Sequence, residues 1–164
     1  LFAWSNHMSE TTRLPRLLIT GSRNHQWTAY DSQALLTAIR DIVDKTQKDP
    51  ILVHGGATGA DTEAALHGQR LFNLQTEVHR ADWKKYGKIA GPIRNKQMVG
   101  LGADLCLAFP DHPKGHGSRG TWNCIDLAQQ AGIPVLVVWG QRLWVYNPNH
   151  PTHGTYRVLD PYTH

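Results

Sequence analysis

Ile51-Leu52-Val53-His54-Gly55-Gly56-Ala57-Thr58-Gly59-Ala60-Asp61 decides how this chain reads. A short β-like apolar run passes straight into a glycine loop, and the loop passes straight into a helix-like run over residues 61–72. Glycines let the backbone come close to a ligand, and the free N–H groups and positive dipole end of the next helix favour an anion. The unit occurs twice. Leu105-Cys106-Leu107-Ala108-Phe109 leads to Gly115-His116-Gly117-Ser118-Arg119-Gly120-Thr121 and then to another helical pattern. Two such loops on one small sheet point to one ligand gripped from both sides, a nucleotide or a molecule built from one.

The rest of the chain alternates in the same way. Strands are expected at 16–20, 51–54, 76–79, 103–109 and 134–139. Helices are expected at 31–48, 61–72, 92–101 and 121–131. Leu35, Leu36, Ile39, Ile42 and Val43 lie at helical spacing in the first helix, Pro50 closes it, and Pro92 suits a first helical turn. Gly132 with Pro134 beyond it ends the fourth helix, and the continuous apolar run after it suits a strand buried on both faces. Alternation of this kind predicts an α/β, Rossmann-like fold with a mostly parallel sheet and helices on both faces. The loops after the strands then gather at one edge, where ligands of open α/β sheets bind.

The 164 residues, 40% of them hydrophobic, suit one domain with a proper core. That domain is expected over residues 8–140. Residues 1–7 match no element and read as a cloning remnant ahead of Met8. Residues 141–164 form a polar, proline-rich extension, in which Trp144-Val145-Tyr146 and Thr155-Tyr156-Arg157-Val158-Leu159 can pair as a hairpin. No apolar stretch approaches the roughly 20 residues of a membrane span, and no secretory pattern opens the chain, so a cytoplasmic protein with no membrane partner is expected. Cys106 and Cys124 read as small core hydrophobes. The pairs His112/His116 and His150/His153 have ligand-like separations but lack acidic or cysteine partners, so neither a metal nor a cofactor is expected. The net charge of +4 permits an anionic partner without requiring a nucleic acid.

Ile19-Thr20-Gly21-Ser22-Arg23, residues 54–61, Ala81-Asp82-Trp83, Gly91-Pro92-Ile93-Arg94-Asn95, Gly102-Ala103-Asp104 and Ser118-Arg119-Gly120-Thr121 occur in order. Together they resemble the YspA or cpYpsA-related branch of the SLOG superfamily, whose relatives include the Lonely guy phosphoribohydrolases and the DNA-processing protein DprA. The resemblance spans most of the chain, from about residue 17 to 138, and implies a Rossmann-like fold that binds a nucleotide-type ligand. It also implies that Gly117 to Thr121 stand where relatives carry a P-G-G-x-G-T phosphate loop, and that Arg94 contacts ribose or phosphate. A dimer or higher homo-oligomer is expected from such relatives.

The candidate ligand-binding residues are therefore Gly21, Ser22 and Arg23 after the first strand, and Gly55, Gly56, Thr58, Gly59 and Asp61 after the second. Trp83, Arg94 and Asn95 come next, and then Gly117, Ser118, Arg119, Gly120 and Thr121. Several have plainer alternatives. Asp61 suits the N-cap of its helix, Arg94 suits an exposed first turn, and Trp83 is either a core aromatic or a face on which a base stacks. Arg119 can add a charge-assisted grip on phosphate. The first loop lacks the Gly-Lys-Ser/Thr ending of a P-loop, and the Gly115 to Gly120 spacing is a weak dinucleotide fingerprint because no acidic residue closes the following strand.

Catalytic residues are not assigned. Cleaving a ribosyl N-glycosidic bond needs a carboxylate beside an oxocarbenium-like centre, and the resemblance to Lonely guy enzymes implies a Glu within the helix turn directly after the phosphate loop. Here Trp122, Asn123, Cys124, Ile125 and Asp126 follow Thr121, so Glu63, Asp82 and Asp104 are the remaining candidates from other elements. Ligand binding is the leading expectation, a nucleoside monophosphate N-glycosidase the second, and DprA-like binding of single-stranded DNA the third.

Overall fold

The computed structural model describes residues 13–147 and the backbone of residues 155–159. The expected cloning remnant, residues 1–7, and the His150/His153 pair lie outside the described residues. In chain order the elements are β1 (Arg16–Gly21), α1 (Ala29–Thr46), β2 (Ile51–His54), α2 (Ala60–Phe72), β3 (Thr76–Val78), α3 (Trp83–Tyr86) with a 3₁₀ turn (Gly87–Ile89), α4 (Ala90–Gly100), β4 (Leu105–Phe109), α5 (Arg119–Gln130), β5 (Val135–Trp139), β6 (Arg142–Tyr146) and β7 (Thr155–Leu159). They build one mixed sheet in the order β3-β2-β1-β4-β5-β6-β7. From β1 to β5 neighbouring strands run parallel, and β6 and β7 are added antiparallel. The Rossmann-like α/β expectation and the C-terminal hairpin both hold.

Alternation along the central strands explains the layering. Leu17 and Ile19 of β1, with Leu105, Leu107 and Phe109 of β4, pack against Leu35, Ile39 and Ile42 of α1 and Ala60 and Ala64 of α2. Their neighbours Leu18, Cys106 and Ala108 point to the other face, against Met98 and Val99 of α4 and Trp122, Cys124 and Ile125 of α5. Strands apolar on both faces are what a parallel sheet between two helical layers requires. Cys106 and Cys124 take their expected places as buried core residues.

Local chemistry sets the ends. α1 starts two residues earlier than its apolar pattern, because Thr28 caps it: the Thr28 hydroxyl accepts from the Asp31 amide while the Asp31 carboxylate accepts from the Thr28 amide. β6 is reached through Gly140 and Gln141, both at positive φ, between the paired residues Trp139 and Arg142. Positive φ at both central positions is the requirement of a two-residue type I′ hairpin turn.

The strand order fixes where a crevice can open. The chain leaves β1 toward β2 on one side, and returns from β3 through α3 and α4 to place β4 on the other side of β1. The C-terminal ends of β1 and β4 are therefore a topological switch point, where an open α/β sheet presents a crevice.

Candidate functional site

A cavity of about 590 Å³ opens at that switch point. It is walled by Thr20, Gly21, Ser22, Arg23 and Asn24 at the end of β1, and by Asp111, His112, Ser118, Arg119, Gly120 and Thr121 beyond β4. Trp83, Lys88, Arg94 and Asn95 close it on the side of α3 and α4. Of the candidate residues it gathers Gly21, Ser22, Arg23, Asp61, Trp83, Arg94, Asn95, Ser118, Arg119, Gly120 and Thr121. Gly55, Gly56, Thr58, Gly59 and Gly117 are not in its lining.

The two glycine loops thus differ in what they present. At the second, α5 begins at Arg119 rather than at Thr121, with Ser118 in the left-handed conformation as its N-cap. The Ser118 side chain makes no capping bond. Its hydroxyl accepts instead from the amides of Asp111 at 3.0 Å and His112 at 3.2 Å, and lies 2.7 Å from the Ser22 hydroxyl. The first-turn amides of α5, on the positive end of the helix dipole, consequently face the cavity without a side-chain cap. A Cβ added at Gly120 would meet nothing within 4 Å, so the backbone there is open to a ligand. Arg119 and Lys88 are exposed at the mouth.

The first loop is closed on itself. Asp61 is not the N-cap of α2; Gly59 holds that position, and the buried Asp61 carboxylate accepts from the Gly55 amide at 3.0 Å and the Ala57 amide at 3.4 Å. Its own burial pushes the Asp61 pKa up to about 6 against the pull of those two amides. The Gly56 amide donates to Nδ1 of His54 at 3.0 Å. The glycines here serve close packing. A Cβ at Gly55 would stand 2.2 Å from the Arg94 guanidinium, and one at Gly59 would stand 2.4 Å from the carbonyl oxygens of Ser22 and Arg23. The loop buttresses the β1–α1 loop, and of its residues only Ala57 and Asp61 reach the cavity.

Arg94 and Asn95 act as braces. The Arg94 guanidinium donates to the carbonyl oxygens of Gly55 at 2.8 Å and His79 at 3.3 Å, and to Oδ1 of Asn95 at 2.9 Å. Burial lowers its pKa, opposed by the nearby Asp61 carboxylate. The buried Asn95 amide donates to the Gly120 carbonyl at 3.1 Å and to Oδ1 of Asn123 at 3.0 Å, which ties α4 to the first turn of α5. Trp83 is 48% exposed, so it is not a core aromatic. It overhangs Gly91, and the Arg23 guanidinium lies 5.1 Å from its ring centroid.

The three acids that remained as catalytic candidates from other elements do not line the cavity. Glu63 sits beside His67 on α2, Asp82 caps α3, and Asp104 accepts from the Arg16 amide at the opposite end of the strands. The carboxylates in the lining are Asp61 and Asp111. Thr20, Asn24, Lys88, Asp111, His112 and Asn123 also line it and were not among the ligand-binding candidates. The switch-point rule applied to the residues just after β4 would have found Asp111 and His112.

Similarity to known proteins agrees with the fold. The family described as "YspA, cpYpsA-related SLOG family" matches residues 15–86, from β1 through α3. The "Gene 61 protein" of Mycobacterium phage D29 is 46% identical over 125 residues, covering 74% of this chain and 94% of that protein. No solved structure matches the chain significantly. By its family match and by this relative, which it covers almost end to end, the chain belongs to the YspA, cpYpsA-related SLOG family.

Proposed function

We propose that the protein binds a nucleotide or a nucleotide-derived molecule in the switch-point cavity, with a phosphate on the N-terminus of α5. The observation that carries this reading is the uncapped first turn of α5 facing a cavity of ligand size, with Arg119 beside it. Trp83, exposed and overhanging the same cavity, offers a face for a base. The ligand sits between the β1–α1 loop and α5, and the first glycine loop serves as the support behind.

The N-glycosidase reading ranks second. It needs a carboxylate available to a sugar, and the two in the lining already serve the loops: Asp61 holds the amides of Gly55 and Ala57, and Asp111 pairs with His25 at 2.6 Å. Single-stranded DNA ranks third, because the basic residues at the mouth form a spot rather than a track.

Calorimetric titration with mono-, di- and cyclic nucleotides tests the reading. Arg119→Ala should weaken binding by about 1.5 to 3 kcal/mol, the worth of a charged hydrogen bond, and Gly120→Val should weaken it by filling the anion approach, both with an unchanged melting temperature. Unchanged affinity in both variants would sink the site. Release of free base from AMP would promote the enzyme reading, and sub-micromolar binding of an oligonucleotide with a steep salt dependence would promote the DNA reading.

A further inference from the structure

His25 lies outside the lining of the cavity but is bonded to a residue within it. Its Nδ1 stands 2.6 Å from Oδ1 of Asp111, and its Nε2 stands 2.8 Å from Oδ2 of Asp31. A neutral imidazole has one N–H, so it can satisfy only one of these carboxylates and would set a lone pair against the other. Two short contacts to two carboxylates therefore specify the doubly protonated ring. The surroundings agree. Asp31 of α1 and Asp111 of the β4–α5 loop are the charged groups facing the ring, while Trp27 and Phe109 flank it with aromatic faces. Arg23, Glu63 and His67 line the more open depression on its outer side.

From His25 a chain of bonds reaches the anion site. The Asp111 amide donates to the hydroxyls of Ser118 and Ser22, Ser118 is the N-cap of α5, and the His25 amide donates to the Ser22 carbonyl at 3.2 Å. The imidazolium does two things through Asp111. It holds the loop after β4 against the loop after β1, and it cancels the charge of a carboxylate that would otherwise repel an anion at α5.

Resting on the binding reading above, the geometry points to His25 as a positioning residue that makes the cavity more receptive to anions while it is protonated and less receptive once it loses its proton. The hydrogen bond to Asp31, opposed by burial and aided by Asp111, raises the His25 pKa to about 8, so the change falls in the mildly alkaline range.

The test uses sulfate, whose charge is constant between pH 6 and 9, followed by amide NMR shifts on the full chain, with the His25 ring nitrogens followed in the same samples. Sulfate affinity should fall about fivefold to tenfold between pH 6.5 and 9, the effect of one nearby charge in a wet cleft, along the titration curve of His25. In Asp111→Asn the pH dependence should shrink, and in His25→Gln it should vanish, with the affinity at the wild-type pH 9 value throughout. Sulfate that binds with the same affinity across the range, or a His25 that titrates near 6.5, overturns the role of His25 and leaves the binding site standing. Absence of sulfate binding at pH 6 overturns the anion site and this inference with it.

Discussion

Replacing Gly59 by alanine separates a glycine that packs from one that binds. Gly59 has φ 79° and ψ −128°, a region that side-chain-bearing residues avoid, and its added Cβ would lie 2.4 Å from two carbonyl oxygens, those of Ser22 and Arg23. The backbone strain costs about 1–3 kcal/mol. Forcing the β1–α1 loop off the start of α2 costs about 1–3 kcal/mol more, as overpacking does. A loss near 4 kcal/mol is a large share of the roughly 5–15 kcal/mol that holds a domain folded. With a urea slope of about 2 kcal/mol/M, the unfolding midpoint should drop by about 2 M. Gly120→Ala is the control, because Gly120 is not at positive φ and its Cβ would meet nothing within 4 Å. Its midpoint should hold or rise slightly, since alanine outranks glycine in a helix by about 0.5–1 kcal/mol. A Gly59→Ala protein that keeps its midpoint but loses nucleotide binding would refute the packing account and make the first glycine loop a direct ligand contact.

The same geometry sets two further outcomes. The folded pKa values of Asp61, about 6 against an ordinary 3.8, and of His25, about 8 against 6.5, are both raised. The stability each contributes is therefore complete below its ordinary value and lost as pH rises through the folded one. At about 1.4 kcal/mol per pH unit this amounts to about 3 kcal/mol between pH 4 and 6 and about 2 kcal/mol between pH 6.5 and 8. Urea melts across pH should show both declines, with the second missing in His25→Gln; a flat profile would contradict the burial of Asp61 and the clamp on His25. Asn95→Ala should cost about 2–4 kcal/mol, because it strips partners from Arg94, Asn123 and the Gly120 carbonyl at once. A thermal melt unchanged from wild type would show that α4 does not brace α5.

Much of this architecture was legible because buried parallel strands advertise themselves. Leu17, Leu18 and Ile19, or Leu105 to Phe109, are apolar on both faces, and no surface helix shows such a run. β6 was only half legible: its pairing with β7 followed from composition, but its turn back onto β5 uses Gly-Gln where the familiar signal is Asn-Gly. The site divided along a similar line. Ser118 to Thr121 could be placed at a helix start because glycine and N-cap chemistry act over a few residues. That Asp61 would turn back to hold its own loop depends on how deeply α2 packs on the sheet, which no local pattern records. The contact between His25 and Asp111 spans 86 positions and exists only because β1 and β4 are neighbours.

That adjacency also bears on what the site can do. A cavity between two strand ends must be held open by polar groups, and each group used for support is withdrawn from chemistry. Asp61 commits its carboxylate to loop amides, Arg94 commits its guanidinium to carbonyl oxygens, and Asn95 joins two helices. Asp111 is matched by His25, and the Ser118 and Ser22 hydroxyls hold each other. What faces the cavity uncommitted includes the first turn of α5, the exposed cations Arg119 and Lys88, and the exposed ring of Trp83. Such a remainder suits holding an anion in a preformed place, since donors already fixed by their neighbours lose little freedom when the ligand arrives. It suits hydrolysis poorly, because Asp61 could not reach a sugar without releasing the loop amides it holds, and Asp111 is already paired with His25.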